Sequence, residues 1–393
     1  MATSGVSKVK VSNFKLILTE EDREFILKKT EEVLTSHRWT VGAIAEALEE
    51  EFKRYTGASH AVALVNGGAA LVAILQALKI PEESVVLCPT LTAPPTPHSI
   101  LNARMKVLFA DSESQGLGLD PDDVKRKLKQ HAGKVAAAIT VHVGGWISPR
   151  IKDLHRLCQE HGIPLIEDCA HAHGSRLEGK HAGSTAASAA YSFFMTKPLP
   201  CGEGGMVTAE DEELVEAVRI IRNYGKDEDG KHVMRGFNYK LSEFNAVVAL
   251  WACSRAPRLL QERRKIACRY DQLLKGLEGI RVFQVPGCEC SYYKYIVTLD
   301  PNISRDKVKD SLFSDYGIEA AGGVYDTLCH EEPFFRSVPN DILNASEKFP
   351  QAERFARQQL CLPLYPGLTE EEQCLVVESL RKAIAAGSRE RQR

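Results

Sequence analysis

Residues 163–174 read Ile-Pro-Leu-Ile-Glu-Asp-Cys-Ala-His-Ala-His-Gly, and residues 191–205 read Tyr-Ser-Phe-Phe-Met-Thr-Lys-Pro-Leu-Pro-Cys-Gly-Glu-Gly-Gly. The first is a short apolar run closed by Asp168, which reads as a buried strand with an acid at its end. The second runs through Ser192 to Lys197, 29 positions after Asp168. Pyridoxal phosphate chemistry needs these two groups. A lysine amine holds the cofactor aldehyde as a Schiff base, and an Asp carboxylate keeps the pyridine nitrogen protonated so that the ring withdraws electrons. Such a lysine has to be partly desolvated, with its pKa lowered, to be reactive.

Both stretches resemble the sugar aminotransferases of the DegT/DnrJ/EryC1/StrS family, a branch of the fold-type I pyridoxal phosphate enzymes. The shared pattern is Glu-Asp-x-Ala-x-Ala-His-Gly at 167–174, then Ser-Phe with the lysine five residues after the serine, then Gly-Glu-Gly-Gly at 202–205. The motifs occur in order and at family-like spacing, and the resemblance runs from about Arg38 to about Ile384. It implies an α/β fold: a large, mostly parallel sheet domain of the seven-stranded type, flanked by helices, with a smaller C-terminal α+β domain. Residues 1–255 are then an N-terminal arm and the large cofactor-binding domain, and 256–393 the small domain.

Composition agrees with that size. A chain of 393 residues is long for one core. With 50 Lys plus Arg against 52 Asp plus Glu, the net charge is −2, which argues against a general binder of nucleic acid or anionic membrane. No apolar run reaches the ~18–20 residues that span a bilayer, and no signal peptide is evident, so a cytoplasmic location is expected. The 11 cysteines include no Cys-x-x-Cys pair and read as reduced, mostly buried thiols, with no metal site expected. Residues 1–11 read as a mobile polar lead and 388–393 as a charged tail.

Short apolar runs alternate with amphipathic segments, the pattern of a mostly parallel α/β sheet. Strands are expected at 62–65, 85–87, 107–109, 135–141, 164–166 and 205–208. Helices are expected at 18–36, 41–55, 68–78, 94–102, 121–130, 149–160 and 212–222. Thr19 and Thr40 are candidate N-caps, and Gly162 a helix stop. A long helix over 241–277 leads into strands at 280–283, 292–298 and 317–320 and helices at 305–313, 347–357 and 369–385.

The candidate site residues each have a plainer reading. Asp168 is otherwise a turn cap, His171 a satisfied core histidine, and Ser192 a small packing residue. The resemblance implies that Asp168 meets the pyridine nitrogen, His171 lies beside the ring, and Ser192 binds the phosphate. Residues 66–71, Asn-Gly-Gly-Ala-Ala-Leu, follow a strand and open a helix, where free N–H groups of Gly67, Gly68 and Ala69 suit a phosphate. The family usually has Thr at position 68, so a hydroxyl contact is missing here. An aromatic that stacks on the cofactor usually stands where this chain has Ala93. The segment 141–149 departs as well, being His142-Val143-Gly144-Gly145-Trp146 where the family more often has His-(Leu/Tyr)-Gly and an acidic stretch.

Downstream, Asn238 falls where the family's Asn reaches the phosphate of the neighbouring subunit, which implies a homodimer with shared sites; its plain reading is a turn residue. Lys240 replaces the family's Arg, so a bidentate carboxylate grip does not carry over. Tyr325 and His330 match a pattern that faces substrate. The leading function is amino transfer from glutamate or glutamine to a keto sugar or keto cyclitol. Two alternatives stand beside it: a lyase or dehydratase of the same fold, and a non-catalytic regulator that binds the cofactor.

Overall fold

The computed structural model describes residues 9–320 and 322–389, with side chains to 386. Its centre is a sheet of β1 (His60–Leu64), β2 (Val85–Pro89), β3 (Lys106–Ala110), β4 (Val135–Val141), β5 (Leu165–Asp168), β6 (Ser188–Ser192) and β7 (Gly205–Ala209). Their spatial order is β1-β7-β6-β5-β4-β2-β3. The strands β3, β2, β4, β5 and β6 pair in parallel, whereas β7 is antiparallel to both β6 and β1. Helices cover both faces, which is why these strands read as almost unbroken apolar runs. One face packs Phe52, Leu154 and Trp251; the other packs Leu71, Ile74, Val218 and Phe109. This is the mostly parallel seven-stranded α/β fold expected from the sequence.

A second, antiparallel sheet of Ile280–Val282, Tyr295–Leu299 and Gln359–Leu362 follows, with its own core of Tyr270, Tyr295, Leu312, Leu360 and Leu380. The C-terminal half also returns to the large sheet. Ile342 bridges Val107, and Phe335, Phe349 and Phe355 join the core of that face.

Four local expectations change. The helix expected over 241–277 is two helices, Glu243–Ser254 and Ala256–Leu273. Pro257 lacks an N–H and its ring crowds the preceding turn, so it opens the second helix instead of continuing the first. The strand expected at 317–320 is a single bridge from Ile318 to Val11. Val11 is buried there, so the polar lead ends before it; residues 1–8 and 390–393 lie outside the described chain. Thr19 caps Glu20–Ser36 as expected, in a capping box with Asp22. Thr40 does not cap the next helix, which is Ala43–Thr56 with Gly42 at its N-cap.

That second helix start is capped from a distance. The buried Glu243 carboxylate accepts the N–H groups of Gly42 (2.9 Å), Ile44 (2.9 Å) and Ala45 (3.2 Å). A Cβ at Gly42 would come within 2.8 Å of Glu243 Oε2, so glycine is what lets the carboxylate in. An anion on three orphan donors also suits the positive end of the helix dipole. Glu243→Ala should therefore destabilise the protein by about 2–3 kcal/mol, the cost of orphaning buried donors to a charged partner. A thermal melt checks this, and an unchanged melting temperature would mean water replaces the cap without loss.

Candidate active site

The parallel register sets Val141, Asp168 and Ala190 side by side on β4, β5 and β6. The carboxyl ends of these strands therefore open on one edge of the sheet, where open α/β sheets hold their ligands. Asp168 is buried; its carboxylate accepts the Thr96 hydroxyl (2.9 Å) and the Ala170 N–H (3.1 Å). The chain of hydroxyls continues, since Thr96 Oγ1 meets Thr92 Oγ1 at 2.8 Å. Burial pushes the Asp168 carboxyl above the usual range, while Ala170, Thr96 and Lys197 pull the other way.

Lys197 sits in the turn after β6, its N–H bonded to the Phe194 carbonyl (2.8 Å). By exposed area it is only half-buried, yet its amine is closely surrounded by protein. Burial lowers it to about 8, against the pull of Asp168 and with help from the charge of Lys294. Its Nζ lies 4.7 Å from the centroid of the Tyr293 ring. That ring stacks on His171, with centroids 3.9 Å apart and planes 22° apart, and its hydroxyl meets Thr196 Oγ1 at 3.2 Å. His171 Nδ1 accepts the Gly144 N–H (3.3 Å), which puts the proton on Nε2, facing the Tyr325 hydroxyl at 3.4 Å. Burial drives His171 well below its ordinary pKa, so it is neutral. Tyr325 also meets the Ala93 backbone, beside Asp168 and Tyr293.

Loop geometry permits these approaches. Gly145 has φ +98°, and a Cβ there would strike Ser291 Oγ at 2.4 Å. Ser291 Oγ bonds the His171 carbonyl (2.7 Å), tying the Gly144–Gly145 turn, the His171 loop and the start of the 292–295 segment together.

A second part of the site lies at the start of helix Gly67–Ala77. A Cβ on Gly67 would fall 2.9 Å from Ser192 Cβ, so helix and strand touch only because residue 67 is glycine. Asn66 Oδ1 caps the Ala69 N–H (2.8 Å), which corrects the expectation that Ala69 offers a free donor. Among the described residues, the N–H groups of Gly67 and Gly68 have no acceptor.

The structure thus brings Asp168, Lys197, His171 and Tyr325 together, and Ser192 together with Gly67. His330 is placed otherwise. It is buried, with Nδ1 2.6 Å from Thr90 Oγ1 and its ring against Phe349, and it borders a groove of about 730 Å³ with Arg336 and Glu347 that includes neither Lys197 nor Asp168. Asn238 makes an antiparallel bridge to Asn223. Lys240 lies over the Tyr224 ring, 4.4 Å from its centroid. Sequence reasoning missed Thr96, Tyr293 and Lys294. The run Tyr292-Tyr293-Lys294-Tyr295 read as an ordinary strand, although a lysine between tyrosines in a buried strand was a visible signal.

The sheet order, the strand-end acid and the lysine beyond β6 define a fold-type I pyridoxal phosphate enzyme. The sequence profile of the DegT/DnrJ/EryC1/StrS aminotransferase family matches residues 20–381, and the chain belongs to that family. It is 31% identical over 366 residues to a pleiotropic regulatory protein of Geobacillus stearothermophilus, covering 92% of this chain and 95% of the relative. It is 30% identical to the dTDP-3-amino-3,4,6-trideoxy-alpha-D-glucose transaminase of Micromonospora megalomicea subsp. nigra, covering 94% of this chain and 97% of the relative. Among solved structures, S. venezuelae DesV in complex with a ketimine intermediate superposes with TM-score 0.85 at 29% identity, covering 92% of this chain and 95% of that one.

The lowered lysine is directly measurable. In the cofactor-free protein, competitive acetylation of Lys197 should rise with pH through a midpoint near 8 and then level off as the amine becomes neutral. Exposed lysines should go on rising toward their ordinary pKa of ~10.4. A Lys197 profile that follows theirs would show that the amine is solvated.

Proposed function

We propose that this protein is a pyridoxal phosphate-dependent aminotransferase that moves the amino group of glutamate or glutamine to a keto sugar or keto cyclitol. The observation that carries the reading is the Lys197 amine, desolvated to about 8 and facing the buried Asp168 from the next strand end. The donor set fits the cofactor. Two N–H groups without an acceptor among the described residues, those of Gly67 and Gly68, lie at a helix N-terminus beside Ser192 and suit a phosphate. Asp168 would hold the proton on the pyridine nitrogen, and Lys197 would take the aldehyde. When bound, pyridoxal phosphate supplies that aldehyde and an electron-withdrawing ring.

The residues have distinct tasks in this reading. Near neutral pH a fraction of Lys197 is already neutral, so it could accept the proton from the donor α-carbon and deliver it to the carbon that carried the cofactor's aldehyde. Asp168 is buried among two hydrogen-bond donors and gains a charged partner when the ring nitrogen is protonated, which offsets its desolvation. Neutral His171, held by Gly144 and Tyr293, fixes one side of the pocket without adding charge. The sugar-transaminase names of relatives support a keto sugar acceptor. The lyase reading has no observation of its own here. The regulator reading has the name of one relative, but the amine and the carboxylate of a working site are both retained.

We also propose a homodimer with shared sites, in the cytoplasm. Phe194 and Met195, between Ser192 and Lys197, are 39% and 47% exposed, and a second copy of the chain would cover them. No helix among the described residues is long and apolar enough to cross a membrane.

Three measurements test this reading. Borohydride reduction of the cofactor-loaded protein should fix the pyridoxyl group on Lys197; a label on another lysine overturns the assignment. Asp168→Asn should keep that label but slow the single-turnover reaction with glutamate or glutamine by roughly 10²–10³-fold, as expected for a lost transition-state charge. Normal turnover would mean that another group protonates the ring. For the shared site, refolding a mixture of Lys197→Ala and Asn238→Ala chains should recover about one quarter of wild-type activity, because about half the dimers are mixed and each has one intact site. No recovery, with mixed dimers shown to form, would assign Asn238 to its own chain's site.

A further inference from the structure

A second lysine lies beside Lys197. Lys294 and Lys197 lie over one aromatic ring, with Nζ atoms 5.2 and 4.7 Å from the Tyr293 centroid. Lys294 is half-buried, and its backbone N–H is held by the Gly144 carbonyl at 3.4 Å. Among the described residues it has no carboxylate partner. The ionisable groups that face it are Lys197, Arg263, Cys361, Tyr293 and the neutral His171. Arg263 is buried too, and among the described residues its guanidinium bonds only carbonyls, those of Tyr292 (3.1 Å) and Tyr293 (3.2 Å). A cation this poorly hydrated, with further cations for neighbours, is costly unless an anion comes to it. Burial and Arg263 already lower the Lys294 pKa.

We propose that Lys294 is the anchor for the α-carboxylate of the amino donor, an inference that rests on the aminotransferase reading above. The choice of anion follows from distance along the substrate. In an amino acid the carboxylate is bonded to the carbon that gives up its proton to Lys197, so its partner must be a close neighbour of that amine. Lys294 is such a neighbour, since both amines rest on one ring. A phosphate joined to the anomeric carbon of a sugar lies several bonds from a ring carbon that receives the amino group, and needs a cation farther away. Another lysine, Lys240, lies over a different ring, that of Tyr224. A lysine holds a carboxylate as a point charge with up to three donors, and the Tyr293 ring beside it limits where the carboxylate can lie.

The test uses the cofactor-loaded enzyme in single turnover, with no acceptor, against L-glutamate and L-glutamine separately. Lys294→Met removes the charge and keeps the chain volume. The half-saturating donor concentration should rise about 10–100-fold, the scale of one charge-assisted hydrogen bond, while the rate at saturation falls much less. Lys294→Arg should restore most of the affinity. Glutarate, which has carboxylates and no amine, should bind wild type by calorimetry and bind Lys294→Met correspondingly more weakly. Borohydride labelling of Lys197 in the variant separates this proposal from the underlying reading: an intact label with unchanged donor and glutarate affinity overturns the anchor and leaves the aminotransferase standing. An affinity lost equally in Lys294→Arg would also overturn it, by showing that shape and not charge is at stake.

Discussion

The site depends on keeping one carboxylate and one amine out of water at the ends of adjacent strands. A buried, unpaired carboxylate is costly, and Asp168 avoids that cost through a hydroxyl, a backbone N–H and the charge of Lys197. The amine shifts the opposite way and becomes partly neutral. Desolvation thus makes one group hold a proton more readily and the other release one more readily. The rest of the local structure serves that arrangement: Tyr293 covers the amine, Thr96 fixes the carboxylate, and the Gly144–Gly145 turn admits His171.

Much of this was legible in the chain. The strand pattern, the acid that ends β5, and the serine and lysine after it are local signals, and the fold follows from alternating buried strands and helices. Spacing along the chain cannot say that Asp168 and Lys197 act on each other; parallel pairing sets Asp168 beside Ala190, and the turn after that strand brings Lys197 into the reach of its charge. What stayed hidden is non-local. Glu243 accepts the N-cap N–H of Gly42 across 201 positions, and Thr96 reaches Asp168 across 72. The helix break at Pro257 is a local signal of the sequence, because a proline opens a helix more readily than it continues one. Ala69 was assigned a free N–H because the reach of the Asn66 side chain depends on its rotamer, which sequence does not set.

The C-terminal half supplies more of the site than its motifs suggested. Tyr293 and Lys294 sit on a segment whose carbonyls are gripped by two consecutive arginines of helix Ala256–Leu273. Arg263 takes those of Tyr292 and Tyr293, and Arg264 takes those of Cys290 (3.1 Å) and Gly174 (2.8 Å). Gly174 closes the same loop that begins with Asp168. One helix therefore fixes both the wall that bears Lys294 and the end of the loop that bears His171.

The charge of the pocket follows from the same construction. Across the whole chain the two signs nearly cancel, at −2, yet Lys197 and Lys294 lie over the Tyr293 ring, Arg263 bonds the Tyr293 carbonyl, and Asp168 is the carboxylate that acts on Lys197. The nearby Glu167 does not correct this imbalance, because its carboxylate is taken up by His142 (2.7 Å) and by the N–H groups of Gly183, Thr185 and Ala186 (2.8 Å each). An excess of positive charge set in low-dielectric walls attracts anions over and above any single contact. A protein that handles a phosphate-bearing cofactor and carboxylate-bearing donors can leave this charge uncompensated, because the ligands themselves supply the missing negative charge.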